Sequence, residues 1–239
     1  MLVGAGHVRR RLAQVALLAG VLTGCSGAAE DADTKASASA SASADAGSDS
    51  DAAVKSGGTI GAAGSACELP VTFDIAEDWE AEAVDAGAAE EKVADSGDGS
   101  ADSEKEELAQ EIADALLYQG PVAAACEVDA KPAGNIGFLR VWTGKPSDVD
   151  ARSVLEAFVA AENGTSKEKY STFKAGDLAG VEVKYLYTSK LLEETKEESA
   201  IALTTKKGPV VIHLGGLDTD EHRAMLPAYE LAKRTLRTT

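Results

Sequence analysis

The chain has 239 residues, 44% of them hydrophobic, and a formal net charge of −17 at pH 7. That balance excludes nucleic-acid binding, because a phosphate backbone needs a basic stripe to meet it. An anionic bilayer also repels such a surface, so charge does not hold this protein at a membrane.

Residues 1–24 carry a basic stretch, Arg9, Arg10 and Arg11, followed by an apolar run from Leu12 to Leu22. A spanning helix needs about 20 predominantly apolar residues, and this run is close to half that. The run ends in Leu22-Thr23-Gly24-Cys25, small residues before a cysteine, and resembles the lipobox of bacterial lipoproteins. An ordinary secretory signal with an incidental Cys25 is the alternative, but such a signal ends in an A-x-A-like site. The resemblance implies that the peptide is cut ahead of Cys25 and that the Cys25 sulfur carries a diacylglyceryl group. One acyl chain binds marginally and two anchor stably, at about 0.8 kcal/mol per buried methylene. Loss of Arg9, Arg10 and Arg11 with the signal takes the net charge from −17 to −20. The expected location is the outer face of a cytoplasmic membrane.

Residues 25–66 read as the lipidated cysteine and a disordered tether. Ala36 to Asp45 alternates Ala and Ser, and Val54 and Ile60 are the only large aliphatics of the segment, so burial has nothing to set against ordering entropy. Its root-mean-square reach as a flexible coil is about 35 Å. Sugars on its Ser and Thr residues are an alternative to a plain linker.

Composition changes at Cys67, and residues 67–239 suffice for one domain with its own core. Cys67 and Cys126 form an even pair outside the reducing cytosol and predict one disulfide, with buried thiols or metal ligation as alternatives. Val71, Phe73 and Ile75 alternate as one face of a strand, and Trp79 to Val84 predicts a second. An acidic, Gly- and Ala-rich insertion follows near 85–103. Ser103 and Glu106 make a capping box for a helix with Leu108, Ile112, Leu116 and Leu117 inward, stopped by Gly120-Pro121.

Val122 to Val128 and Ile136 to Thr143 predict paired strands around a Lys131 to Asn135 turn. Ser147 or Asp150 caps a helix with Val154, Leu155, Phe158 and Val159 inward. Val181, Val183, Tyr185 and Tyr187 alternate with Glu182, Lys184, Leu186 and Thr188, the pattern of a strand wet on one face. Ser199 to Thr205 and Pro209 to Gly215 form a hairpin around Lys206-Lys207-Gly208, with the Val210 to Ile212 run central. Asp218 and Glu221 offer a capping box for a last helical segment, kinked or restarted at Pro227, with Leu231 and Leu236 inward. The chain has no internal repeat.

This order predicts an α+β fold, an antiparallel β-sheet flanked by helices. Val71-Thr72-Phe73-Asp74-Ile75 running into Trp79, Gly176-Asp177-Leu178-Ala179-Gly180 before the Val181 strand, and Gly215-Gly216-Leu217-Asp218 extended by Glu221-His222 form a diffuse set across 67–239. That set resembles the PsbP-like α/β/α sandwich as found in LpqN-type envelope lipoproteins. The resemblance implies a binding or assembly module without catalytic residues to carry over; the acidic insertion departs from its pattern.

Candidate chemistry is sparse. His213, Asp218 and His222 are a weak metal or acid–base set, open to the alternative that the acids cap a helix and the histidines are satisfied core residues. Trp79, Trp142, Tyr185 and Tyr187 offer stacking surfaces for a ligand groove, or core packing. There is no G-x-S-x-G elbow, and Gly215-Gly216 is too little for a phosphate loop, so no cofactor is expected. Two functions follow: a monomeric, non-enzymatic lipoprotein that binds an envelope protein or cell-wall ligand, or a hydrolase using His213, Asp218 and His222.

Overall fold

The computed structural model describes residues 54–85, 111 and 114–239. The signal segment, Cys25, the tether as far as residue 53, the acidic insertion beyond Asp85, the Ser103–Glu106 capping box, Leu108 and Ile112 lie outside them.

Alternation builds the first strands. β1 (Ser56–Ile60) and β2 (Val71–Ala76) pair antiparallel, with Val71 and Phe73 of β2 buried. β3 (Glu80–Ala83), β4 (Tyr118–Gln119), β5 (Val122–Asp129) and β6 (Gly137–Thr143) follow, β5 and β6 joined through a 3-10 turn at Lys131–Ala133. α1 (Ala151–Ala161) starts where the Asp150 carboxylate accepts the backbone N–H groups of Arg152 and Ser153, and it buries Val154, Leu155, Phe158 and Val159. β7 (Thr165–Ala175), β8 (Leu178–Ser189), β9 (Glu194–Thr205) and β10 (Gly208–Gly216) form a meander. α2 (Thr219–Thr235) and β11 (Arg237–Thr238) close the chain.

The described strands make two antiparallel sheets: a small one ordered β1-β2-β11, and a large one ordered β3-β5-β6-β10-β9-β8-β7, with β4 paired to β5. β10 is central and buried along its whole length, as the two-sided apolar run Val210 to Ile212 predicts. Its odd residues and its even residues serve different cores. Val211 joins Trp142, Ala200, Ala202 and the inward side of α1. Ile212 and Leu214 join Leu139, Val141, Ile201, Met225 and Tyr229, with Phe73 and Ile75 of the small sheet. The large sheet is thus covered by α1 on one face and by α2 with β2 on the other. The expected α+β class, an antiparallel sheet flanked by helices, is the class observed.

Several local expectations change. Ordered backbone begins before Cys67, because β1 gains a ladder to β2 that its own Ser-Gly-Gly-Thr-Ile sequence does not announce. β7 is a strand that alternation missed, since most of its side chains are exposed along an edge with a single neighbour. Leu116 is 61% exposed and Leu117 alone of the pair is buried. α2 runs unbroken through Pro227.

Asp218 caps α2 by accepting the Glu221 N–H at 2.9 Å. Glu221 does not complete the box; its carboxylate accepts the Ile136 N–H at 3.0 Å and docks the start of α2 on the entry to β6. Asp218→Ala therefore costs about 1 kcal/mol of stability, the usual worth of a cap, measurable as a lower urea midpoint at unchanged slope.

Candidate functional site

On the α1 face of the large sheet, β8, β9 and β10 bring together a buried polar cluster. Strand parity aims Tyr185, Glu198 and His213 to the same side as Val183, Ala200 and Val211. The Glu198 side chain is 2% exposed and accepts from Lys196 Nζ at 2.9 Å through Oε1. Its Oε2 lies 3.0 Å from His213 Nε2 and accepts from the Tyr185 hydroxyl at 2.9 Å. Tyr185 also reaches Oε2 of Glu162, the residue that ends α1, at 2.8 Å. Phe158 closes the cluster edge-on against His213, with ring centroids 5.7 Å apart.

The environment splits the two carboxylates. Burial works to raise Glu198, but attraction and hydrogen bonding by His213 and Lys196 outweigh it and hold the carboxyl at about 2. Glu162 is pushed up, first by burial and then by the Glu198 charge. Tyr185 has one proton for two carboxylates, a competition eased where Glu162 keeps a proton; its own hydroxyl is pushed well above the usual range, mainly by burial. Lys196 also donates to the Gly216 carbonyl at 2.7 Å, so the cation is committed on both sides.

The sequence-predicted set is not assembled into one site. His213 faces α1, whereas His222 sits on α2 against the other face, its Nε2 3.2 Å from Ser199 Oγ. A β-sheet lies between the two imidazoles, and Asp218 is occupied as a helix cap. Among the described residues no group of three His, Cys, Asp or Glu side chains is placed to hold a metal. Trp79 and Trp142 are buried in the two separate cores, so they share no groove. Tyr185 belongs to the polar cluster. Tyr187 borders an open cleft, with Lys196 Nζ 5.4 Å from its ring centroid, and Tyr185 is among the residues lining a separate cavity.

That cleft, ≈ 780 Å³, lies between the β8–β9 turn and the start of α2. Leu192 and Leu217 line it at 63% and 56% exposure, beside Leu191 at 91%. The exposed Ile136 adjoins them, accepting the Leu217 N–H at its carbonyl. Glu194, Asp218 and Asp220 supply negative charge around these apolar groups, and Lys196, held by Glu198, is the cation among the lining residues. A second cavity, ≈ 340 Å³, opens on the α2 face and is lined by Lys167, Lys169, Lys184, Ser199, His222 and Leu226 among others.

A sequence model of a family described as uncharacterised lipoprotein matches residues 36–236. The chain belongs to this family. As a lipoprotein it is a membrane-anchored envelope protein, held through a lipid. No described helix is long and apolar enough to cross a membrane. The matched stretch lies C-terminal to Cys25. No curated protein matches the chain. The lipoprotein is similar to the solution structure of cyanobacterial PsbP from Synechocystis sp. PCC 6803, at 12% identity and a TM-score of 0.43, over 76% of this chain and 98% of that one.

The disulfide of the lipoprotein is formed as expected, Cys67 to Cys126 with Cα atoms 5.9 Å apart. Lys196 and Glu198 were missed as site residues because they sit in a run of charges that reads as solvated surface, and Glu162 because a lone acid between Ala161 and Asn163-Gly164 reads as the exposed end of a helix. One signal was available: a histidine on a strand apolar on both faces needs a polar partner from its neighbours.

Proposed function

We propose that this lipoprotein is a non-enzymatic binding module on the outer face of the cytoplasmic membrane, lipidated on Cys25 after removal of residues 1–24. Leu22-Thr23-Gly24-Cys25 supports the anchor and its side. Kinship with LpqN-type lipoproteins is part of the same reading and rests on the order of the elements. The observation that carries the binding role is the cluster of exposed leucines, Leu191, Leu192 and Leu217, around the cleft at the end of the large sheet. Scattered surface leucines mean little, but an apolar group gathered at a concave, polar-rimmed site marks an interaction surface. The acid–base reading loses support because the sheet separates His213 from His222.

The partner on this reading is an envelope protein whose docking segment presents apolar and basic side chains. Leucines meet the first, and Glu194, Asp218 and Asp220 meet the second. The lipoprotein acts as a monomer, and its cleft is the contact. A photo-crosslinking residue in place of Leu192, in the full chain in intact cells, is expected to capture one envelope protein. A probe in place of Glu156 on α1 captures none, and adding Leu217→Glu or Cys25→Ala removes the adduct. No adduct from Leu192, or the same adduct from the α1 probe, overturns the proposal.

A further inference from the structure

The cavity on the α2 face is a place of positive charge on a chain whose net charge is −17. Lys167, Lys169 and Lys184 all line it and all are exposed. None of the three has an ion-pair partner within 4.0 Å among the described residues. Two glutamates also line the cavity: Glu197 is taken by Arg223 through two bonds, Nε to Oε2 at 3.0 Å and Nη2 to Oε1 at 2.8 Å, and the Glu198 carboxylate is engaged by Lys196, His213 and Tyr185. Glu168, between two of the lysines in sequence, acts on Tyr170 at the other face.

The lysines are placed by a local departure from strand geometry. The β7–β8 ladder shifts register between Ser166 and Lys169, and Lys167 in that bulge has φ +57°, a conformation that a side chain-bearing residue adopts rarely. Bulges re-aim side chains. Here the result is Lys167 on the same cavity as Lys169, where regular alternation with one extra residue would not guarantee it. At the inner wall stands a second polar feature. His222 is buried, its Nε2 meets Ser199 Oγ, and its Nδ1 has no hydrogen-bond partner. A buried polar atom without a partner is uncommon and asks for one.

We infer that this cavity binds a phosphate group, cradled by the Lys167, Lys169 and Lys184 ammonium groups, with Ser199 and His222 at its inner wall and Leu226 against the apolar body of the ligand. Lysine meets phosphate as a point charge, and three such charges suit a multiply charged anion better than a single carboxylate. The rest of the protein repels anions, so capture must come from these groups and not from the general field. The inference is independent of the cleft at the end of the sheet. The same phosphate chemistry is offered by a soluble phosphomonoester and by a phospholipid headgroup.

The test uses the full chain, acylated and held in zwitterionic detergent micelles, with backbone amide resonances followed by NMR. Inorganic phosphate and glycerol 3-phosphate are expected to give saturable shifts at Lys184, Ser199 and His222, with sodium chloride at equal ionic strength giving none that saturate. Micelles doped with phosphatidylglycerol reproduce the shifts if the natural source is a lipid. The exposed double substitution Lys169→Gln with Lys184→Gln is expected to weaken binding at least tenfold while leaving amides outside the cavity unmoved. No saturable shift from any of the three phosphate sources overturns the inference. So does chloride saturating the same amides, or phosphate binding that the double substitution leaves intact.

Discussion

Glu198→Ala is expected to remove about 3–5 kcal/mol of folding stability at neutral pH, the usual result of breaking a buried ionic cluster by deleting one partner. The magnitude follows from what the truncation strands. Lys196, His213 and the Tyr185 hydroxyl each lose an acceptor, His213 and Tyr185 in a region where water does not replace it, while the apolar groups around them, Phe158 and Ala200, stay in place. Glu198→Gln keeps the shape and one acceptor, so it costs less than the alanine variant. Urea unfolding of the three proteins under identical conditions measures the ladder. An alanine variant within 1 kcal/mol of the parent means that the cluster contributes no net stability.

Acid titration separates the groups further. Glu198 is held at about 2 against an ordinary 4.5, so its stabilisation is complete above 4.5 and is lost as pH falls toward 2, about 3 kcal/mol in all. His222 acts earlier. Burial lowers it to about 4 from 6.5, so between those values the unfolded chain takes up a proton that the native one refuses, and stability falls by up to about 1.4 kcal/mol per pH unit. Glu162 runs the other way: its pKa is raised, so its contribution is full at low pH and is lost as pH rises through the folded value. The urea midpoint is expected to decline below pH 6.5 and to fall again below 4.5, with the second limb flattened in Glu198→Gln.

The parts of the fold that announce themselves are those where burial writes a period into the sequence. Val71, Phe73 and Ile75 alternate because one side of β2 faces α2, and Val210 to Ile212 do not alternate because β10 is covered on both sides. Caps are equally local, and Asp150 and Asp218 are found where their side chains satisfy free N–H groups. β1 and β7 escape because an edge strand is specified by a neighbour's backbone, and Ser166 to Lys169 carry no apolar face to betray it. The site was hidden for a related reason. Glu193 to Glu198 is a polar run, and only pairing of β9 with β8 and β10 turns Lys196 and Glu198 inward toward Tyr187, Tyr185 and His213. Parity within β10 was the usable clue: His213 alternates with Ile212 and Leu214, so it could not share a face with residues packed on them.

Replacing both Cys67 and Cys126 by alanine is expected to cost roughly 4 kcal/mol, the chain-entropy value for opening a loop of about 60 residues. The bond joins two bodies that otherwise meet through side chains. Cys67 lies between β1 and β2 of the small sheet, and Cys126 lies within β5, opposite Val141 of β6, so the crosslink fixes the small sheet against the large one. Both cysteines are buried in the α2-side core with Phe73, Val128 and Val141, which makes alanine, and not serine, the substitution that avoids burying a hydroxyl. Most of the loss is expected in the unfolded state. Freed of the crosslink, the denatured chain expands and exposes more surface, so the urea slope rises while the midpoint falls. Reduction of the parent protein should reproduce both changes. A midpoint that falls with the slope unchanged would place the loss in native contacts around Cys126, and the small sheet would then be held by Phe73 and Ile75 packing against α2 without help from the crosslink.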